Sequence, residues 1–178
     1  MTPTRIVVVS GAPGTGKSTL AAVIADRLRL PLLSLDVIKE ALGDALGLGD
    51  ESWSDRVGDA AAEVVFQLAA SFPSALAEGW WRRERRTRAE WEFRGCVQVF
   101  CRCDPSLAQQ RMAARLSGPR HPIHRDVINP ALVEGVAAMV TAVEPLDLGG
   151  EVVEVDTTEP YDADLIADRV RAALLSST

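Results

Sequence analysis

One stretch near the N-terminus has the residue types and the spacing that bind phosphate. The pattern G-x-x-x-x-G-K-[ST] is matched at every position by Gly11-Ala12-Pro13-Gly14-Thr15-Gly16-Lys17-Ser18. Glycines let a backbone fold closely around an anion, so that successive N–H groups point inward at a helix N-terminus. Lys17 would then bridge two phosphates, Ser18 would be a ligand of Mg²⁺, and Thr19 would contact the α-phosphate. The stretch therefore predicts a site for ATP and Mg²⁺, but it does not specify a reaction.

This loop needs a buried strand before it and a helix after it, and the sequence predicts both. Residues 5–9 are mostly β-branched, as in a strand buried on both faces, and apolar residues at helical spacing predict a helix over 17–28. Strand and helix patterns then alternate, which indicates an α/β fold with a mainly parallel sheet. The other predicted strands cover 32–35, 74–77, 97–102 and 151–155. The other predicted helices cover 37–46, 55–70, 82–91, 105–116, 130–143 and 162–175, and 117–129 is predicted to be a loop.

Length and composition exclude several classes of protein. The 178 residues suit one domain over 1–178, and an apolar content of 47% excludes a disordered chain. No run reaches the roughly 18 apolar residues of a membrane span, so no membrane partner is expected. The net charge of −6 disfavours a general nucleic-acid binder without excluding one. The N-terminus lacks a signal-peptide pattern, and Cys96, Cys101 and Cys103 have neither disulfide nor zinc spacing, which favours the cytoplasm.

Three features together resemble a known family. They are the phosphate-binding loop, the stretch Asp36-Val37-Ile38-Lys39 after the second strand, and the arginines after the fourth strand. The chain resembles small P-loop kinases, which are ATP-binding proteins of the AAA type. It is most similar to the branch with chloramphenicol phosphotransferase, zeta-toxin-like kinases and the kinase domain of polynucleotide kinase. The resemblance implies a three-layer P-loop fold, a five-stranded sheet in the order 2-3-1-4-5 with helices on both faces, and a short lid at about 117–129.

The resemblance implies that Asp36 is the general base for the acceptor hydroxyl. The residues agree with this role, because a carboxylate at the carboxyl end of a parallel strand faces the crevice where ligands bind. The alternative role for Asp36 is the N-cap of the following helix. Lys39, one turn further on, is either a substrate contact or a solvated cation.

Two carboxylates follow apolar strands, as the acid that orients Mg²⁺ should. They are Glu78 and Asp104. The implied sheet order places the third strand beside the first and so favours Glu78, which would orient a Mg²⁺-bound water or bind the acceptor. A plain surface carboxylate is the alternative for Glu78, whereas Asp104 before Pro105 is better explained as a helix cap.

Arginines follow the fourth strand, where the family carries its lid. They are Arg111, Arg115, Arg120 and Arg125. Guanidinium groups suit a clamp on the transferred phosphate, because they are planar, always charged and bidentate. This role is assigned to Arg115 and Arg120, and a solvated basic face is left open for Arg111 and Arg125. His121 in the same loop is interpreted as a substrate or lid contact.

The turn after the third strand is rich in tryptophan and arginine. Trp80 and Trp81 are candidates to stack on a ring of the acceptor, although most tryptophans only pack. A basic cluster follows, formed by Arg82, Arg83, Arg85, Arg86 and Arg88. It is either an exposed helix face or a surface for an anionic acceptor such as a phosphorylated sugar, a nucleotide or a nucleic-acid end.

The leading function is an ATP- and Mg²⁺-dependent phosphotransferase, a kinase with an alcohol group as acceptor. Candidate acceptors are small molecules with a hydroxyl group, such as an antibiotic, a sugar or a nucleoside. One alternative is a polynucleotide or nucleotide kinase, and another is a nucleotide-dependent switch or binding module with slow hydrolysis. Neither the acceptor nor the oligomeric state follows from the sequence.

Overall fold

The five predicted strands form one parallel sheet. The structure is a computed structural model and describes residues 5–81 and 83–176. The strands are β1 (Arg5–Ser10), β2 (Leu32–Ser34), β3 (Ser74–Glu78), β4 (Val97–Arg102) and β5 (Val152–Asp156). Their order is β2-β3-β1-β4-β5, and each neighbouring pair is parallel. The fold class and the sheet order implied by the resemblance are therefore confirmed.

Eight α-helices connect and flank the described strands. They are α1 (Lys17–Leu28), α2 (Leu35–Leu46), α3 (Glu51–Ser71), α4 (Arg83–Glu92), α5 (Pro105–Leu116), α6 (Arg125–Ile128), α7 (Val136–Ala142) and α8 (Ala163–Ser176). The predicted loop over 117–129 thus contains a short helix. The helix predicted over 130–143 begins as a 3₁₀ turn, Pro130–Gly135, and becomes α-helical after Gly135, a residue that weakens a continuous helix. None of the described helices is both long and apolar enough to span a membrane.

Helices α2 and α3 begin before the predicted residues 37 and 55, at Leu35 and Glu51. Helix α3 begins at Glu51 because the Asp50 carboxylate accepts the Trp53 N–H at 2.9 Å. Helix α2 begins at Leu35, so the expectation that Asp36 is its N-cap is wrong. Ser34 occupies the N-cap without a side-chain cap bond, because its hydroxyl donates to Glu78 instead.

Both faces of the sheet are covered, which explains the continuous apolar runs of its central strands. On one face, Val7 and Val9 of β1 pack with α1 and α8. On the other face, Ile6 and Val8 pack with α3 and α4. A sheet buried in this way fixes the carboxyl ends of its strands as a rigid edge, and the candidate residues lie along that edge.

Candidate active site

The phosphate-binding loop has the backbone that its glycines were expected to allow. Gly16 has φ 75° and lies at the N-cap of α1, and Gly14 has φ 82°. A Cβ atom at Gly14 would lie 2.3 Å from the carbonyl oxygen of Ala108 in α5, so a larger residue would displace backbone there. The loop is therefore pressed against α5, with its N–H groups at the start of α1.

The loop is supported from behind by Arg111 and Thr157. The Thr157 hydroxyl lies 2.8 Å from the carbonyl oxygen of Thr15, and Arg111 Nη2 donates to the Thr157 carbonyl at 2.9 Å. Arg111 Nη1 also reaches the Gly14 carbonyl at 3.4 Å. A phosphate clamp and a solvated basic face were left open as roles of Arg111, and neither describes this contact. Its guanidinium instead fixes the loop backbone to the end of β5.

Glu78 joins the loop to the second strand. Its buried carboxylate accepts the Ser18 hydroxyl at 3.0 Å and the Ser34 hydroxyl at 2.8 Å. Lys17 Nζ lies 3.9 Å from the same carboxylate. Glu78 is paired with Val9 of β1 in the sheet, so the expected position beside the loop strand is observed and the surface-carboxylate alternative is wrong. Asp104 instead caps α5 by accepting the Leu107 N–H at 2.9 Å.

Asp36 and Lys17 line one cavity of about 180 Å³. Burial disfavours the charged form of Asp36, but the positive charges of Lys17, His124, Arg120 and Lys39 outweigh it and hold the pKa of its carboxyl below the usual value. Asp36 is therefore ionised at neutral pH. A carboxylate in this state can accept a proton from a bound hydroxyl group.

Arg115 and Arg120 both reach this cavity, but they differ in their partners. Arg120 is paired with Asp126, at 2.6 Å from Nε to Oδ2 and 3.0 Å from Nη2 to Oδ1. Arg115 contacts the sulfur of Met112 at 3.5 Å and forms no ion pair with a described residue. Arg115 thus presents a guanidinium with unused donors, whereas Arg120 is already oriented by a carboxylate.

The 117–129 segment is fastened to α2 and α3. His121 Nδ1 accepts the Ile123 N–H, so its Nε2 hydrogen is donated to Asp44 at 3.1 Å. His124 Nε2 lies 2.7 Å from Glu40. His121 therefore connects this segment to α2, and it is not among the residues that line the cavity of Asp36.

Lys39 is buried, so the solvated alternative for it is wrong. Its Nζ donates to the Ser54 hydroxyl at 2.7 Å, and that hydroxyl donates to the Ile123 carbonyl at 2.7 Å. Lys39 also lines the cavity. It consequently links the helix that carries Asp36 to α3 and to the 117–129 segment.

The two candidate tryptophans have different environments. Trp80 is half-buried and lines the cavity. Trp81 is buried in the core, with its ring stacked on Phe66 at 5.5 Å and edge-on to Phe93 at 5.4 Å. The expectation that Trp81 stacks on a substrate is therefore wrong, since its ring faces are used in packing.

Two arginines of the basic cluster after β3 are paired with acidic residues of the same helix. Arg86 pairs with Glu90 at 2.8 Å, and Arg88 pairs with Glu92 at 2.8 Å. Arg85 differs because its side chain lines the cavity. Arg82 and the side chain of Arg83 lie outside the part of the molecule that the structure describes. The exposed-face interpretation therefore fits Arg88 but not Arg85, and Arg86 is half-buried and donates to the Glu144 carbonyl at 3.2 Å.

One part of the cavity wall is apolar, and this was not predicted from the sequence. It is formed by α5, the 3₁₀ turn and α7, through Met112, Val133, Val136 and Met139. These residues come from segments that were predicted only as helices. Their shared position follows from long-range packing, which periodicity does not encode.

The donor set fits Mg²⁺ that arrives with nucleotide. Among residues 5–81 and 83–176 there is no group of three His, Cys, Asp or Glu side chains that could hold a metal. Ser18 and Glu78 supply hard oxygen atoms beside the loop, and Mg²⁺ typically takes its remaining ligands from phosphates and water. Positive-φ glycines, Lys17 and these two oxygens thus fit ATP with Mg²⁺.

Comparison with known proteins identifies the family. The sequence matches a family model described as an AAA domain over residues 6–130, which is more than half of the chain. The chain belongs to this family. The shikimate kinase of Bradyrhizobium diazoefficiens is 28% identical over 167 residues, which cover 89% of this chain and 74% of that protein.

Solved structures of similar chains support the same assignment. A Chloroflexus aurantiacus protein proposed to be a kinase is 36% identical, with a TM-score of 0.84 over 97% of this chain and 99% of that chain. The shikimate kinase of Acinetobacter baumannii, solved with shikimate, is 19% identical, with a TM-score of 0.62 over 99% and 96% of the two chains, and shows the fold alone. The predicted class, a P-loop kinase with a hydroxyl acceptor, is confirmed. The closer resemblance to the chloramphenicol phosphotransferase branch stays a prediction.

Proposed function

We propose that this P-loop kinase transfers the γ-phosphate of ATP to a hydroxyl group of a compact small molecule. The observation that carries the proposal is that Asp36 and Lys17 line the same cavity. Lys17 belongs to the nucleotide loop. Asp36 is an ionised carboxylate that accepts no hydrogen bond from another described side chain. A hydroxyl between them would meet a proton acceptor on one side and a phosphate-binding cation on the other.

Each catalytic residue then has a separate task. Asp36 accepts or orients the proton of the acceptor hydroxyl as its oxygen attacks in line. Lys17 and Arg115 stabilise the negative charge of the transferred group, and Arg120 is oriented for the same purpose by Asp126. Ser18 is the proposed ligand of Mg²⁺, and Glu78 positions Ser18 and a metal-bound water. When bound, MgATP supplies the transferable phosphoryl group and a divalent charge.

The cavity favours a small acceptor. Its volume of about 180 Å³ is below the 300–1,000 Å³ that is typical of drug-sized ligand pockets. The candidate acceptors are an antibiotic, a sugar or a nucleoside, each with a compact reactive end. Shikimate, named for two of the similar kinases, is a further candidate.

We also propose that residues 1–178 form one kinase domain and that the 117–129 segment is its lid. The segment is fastened to α2, the helix that carries Asp36, by His121 and His124, and to α3 by the Ile123 carbonyl, which accepts the Ser54 hydroxyl. A segment in this position would exclude water from the transfer step. Arg120 of this segment lines the cavity with Lys17, where it would meet the transferred phosphate.

The two alternative functions have less support. A polynucleotide kinase needs a basic surface for the polymer, and Arg86 and Arg88 of α4 are already paired with Glu90 and Glu92. A nucleotide switch does not need an acidic residue in a small cavity beside the phosphate loop. Asp36 in that cavity therefore favours transfer to an acceptor.

The test is a screen of small hydroxyl compounds and short oligonucleotides for ADP release above the rate without acceptor. Transfer is verified by the mass of the phosphorylated product. The expected result is a phosphorylated small molecule and no product with Lys17→Ala. ADP release that no compound stimulates would contradict the proposal, and a phosphorylated oligonucleotide would favour the polynucleotide kinase.

A further inference from the structure

We infer that the acceptor carries one anionic group, a carboxylate or a phosphate, and that Arg85 binds it. The inference rests on the proposed function, because it describes the second substrate of the same cavity. Arg85 lies in the first turn of α4, and its side chain is only 10% exposed. It lines the cavity together with Asp36 and Lys17.

The guanidinium of Arg85 is held in a fixed position by α3. Its Nε lies 2.5 Å from Asp59, and its Nη2 donates to the backbone carbonyl of Asp55 at 3.3 Å. A Cβ atom at Gly58 would lie 2.7 Å from Nη2, so the arginine uses the space that this glycine leaves. Glycine inside a helix lowers its stability, and here it lets a charged group pack flat on α3. A cation positioned in this way loses little entropy on binding an anion.

The charges around the cavity leave Arg85 without a counter-ion on its wall. Six Lys and Arg side chains line the cavity against three Asp side chains. Arg120 is paired there with Asp126, and Arg125 lies 3.5 Å from Asp55. Asp59, the partner of Arg85, is 63% exposed and is not part of the wall. An anionic group on the acceptor would add negative charge on the cavity side of Arg85, where Lys and Arg side chains outnumber Asp side chains. The desolvation cost would be low, because Arg85 is already largely removed from water.

The rest of the wall narrows the class of acceptor. Met112, Val133, Val136 and Met139 form its apolar part. Such a surface favours a ring or chain with a nonpolar face over a fully hydroxylated sugar. The acceptor class is therefore a compact hydroxy acid or phosphate ester with one nonpolar face.

The first experiment measures binding with a matched pair of probes. trans-4-Hydroxycyclohexanecarboxylate and its carboxamide differ in charge but hardly in shape. Each is titrated into the full chain with ADP and Mg²⁺, and binding is followed by NMR. We expect the carboxylate to bind about 10- to 100-fold more tightly than the amide, as a hydrogen-bonded charge pair provides. Equal binding of the two probes, or no binding of either, would overturn the inference.

Variants of two arginines of α4 show which residue causes the preference for the carboxylate probe. Arg85→Gln is expected to abolish the difference between the probes, and Arg85→Lys to retain part of it, because lysine keeps the charge but not the bidentate geometry. Arg88→Gln is the matched control, since Arg88 is half-exposed and paired with Glu92. If Arg85→Gln still prefers the carboxylate, another residue binds that group and the inference is overturned. If Arg85→Gln does not fold, Arg85→Lys and the wild-type preference still decide.

Turnover separates this inference from the proposed function. Binding that depends on Arg85, without phosphate transfer to any compound, would leave the inference in place and remove the function. Efficient transfer to neutral acceptors, unaffected by Arg85→Gln, would support the proposed function and overturn the inference. Where anionic acceptors are phosphorylated, Arg85→Gln is expected to raise KM for the acceptor about 10-fold or more and to leave KM for ATP unchanged.

Discussion

The Glu78 carboxylate accepts the hydroxyl of Ser18 at 3.0 Å, across 60 residues of sequence. Its second oxygen accepts the Ser34 hydroxyl, two residues before Asp36. One buried acid thereby fixes the nucleotide loop relative to the strand that leads to the proposed base. A displacement of Ser18 or of Ser34 would therefore be transmitted to the other residue through these two hydrogen bonds.

Asp36→Asn should separate binding from chemistry. Asparagine keeps the size of the side chain but cannot accept the proton, so transfer is expected to fall about 10²- to 10⁴-fold. Affinity for ATP should change less than about 3-fold, because the nucleotide loop is untouched. Single-turnover transfer and equilibrium ATP binding measure the two quantities, and an unchanged transfer rate would remove the general-base role.

Glu78→Gln should raise the concentration of Mg²⁺ that half-saturates transfer. The amide keeps the size of the side chain and one accepting oxygen, but its nitrogen cannot accept the second serine hydroxyl. It also loses the charge that is proposed to hold a metal-bound water. We expect an increase of about 10-fold, measured as ADP release against Mg²⁺ at fixed ATP. An identical Mg²⁺ dependence would limit Glu78 to a packing role.

Arg115 and Arg111 should fail in different ways when each is changed to Gln. Arg115 has no carboxylate partner among the described residues, so its loss should lower kcat about 10²-fold or more with little effect on unfolding. Arg111 holds Thr157 and the loop, so its loss should weaken ATP binding and lower the midpoint of thermal unfolding. Kinetics and thermal unfolding of both variants form the comparison, and matching phenotypes would contradict this division of roles.

The ionised state of Asp36 should appear in the pH dependence of stability. Its folded pKa is lowered, because neighbouring positive charges outweigh the opposing effect of burial. A carboxyl group of this kind stabilises the fold above its unfolded pKa and loses that contribution as the pH falls through the folded value. The difference in unfolding free energy between wild type and Asp36→Asn should therefore be constant from pH 7 to 5 and shrink below about pH 3.8. Urea titrations of both proteins test this, and a difference that changes near neutral pH would refute it.

The cysteines should be inert in the folded protein. Burial raises the pKa of Cys101 to about 12 and that of Cys96 to about 11, and it also raises the pKa of Cys103. Thiolates, which are the reactive form, are therefore scarce at pH 8. Iodoacetamide should label all three residues in urea and leave Cys101 unmodified without it, as mass spectrometry would show. Rapid native labelling of Cys101 would contradict its burial.

The phosphate loop, the strands and Glu78 were predictable because their signals are local or depend on a regular sheet order. The capping role assigned to Asp36 was wrong because α2 begins at Leu35, with Ser34 at its N-cap and the Ser34 hydroxyl bound by Glu78, 44 positions away. Trp81 was placed at the substrate because its type suits stacking, yet Phe66 and Phe93 enclose it. Contacts of this kind join segments that are distant in sequence, and no single periodic pattern records them.

The apolar wall built from Met112, Val133, Val136 and Met139 has a consequence for protein engineering. These side chains come from α5, the 3₁₀ turn and α7, which contribute no residue to the phosphate loop and none to the strand ends at Glu78. The choice of acceptor can therefore be redesigned at Val133, Val136 and Met139 by changes of shape and volume, whereas Met112 also contacts Arg115. The machinery of phosphoryl transfer would be left in its original sequence.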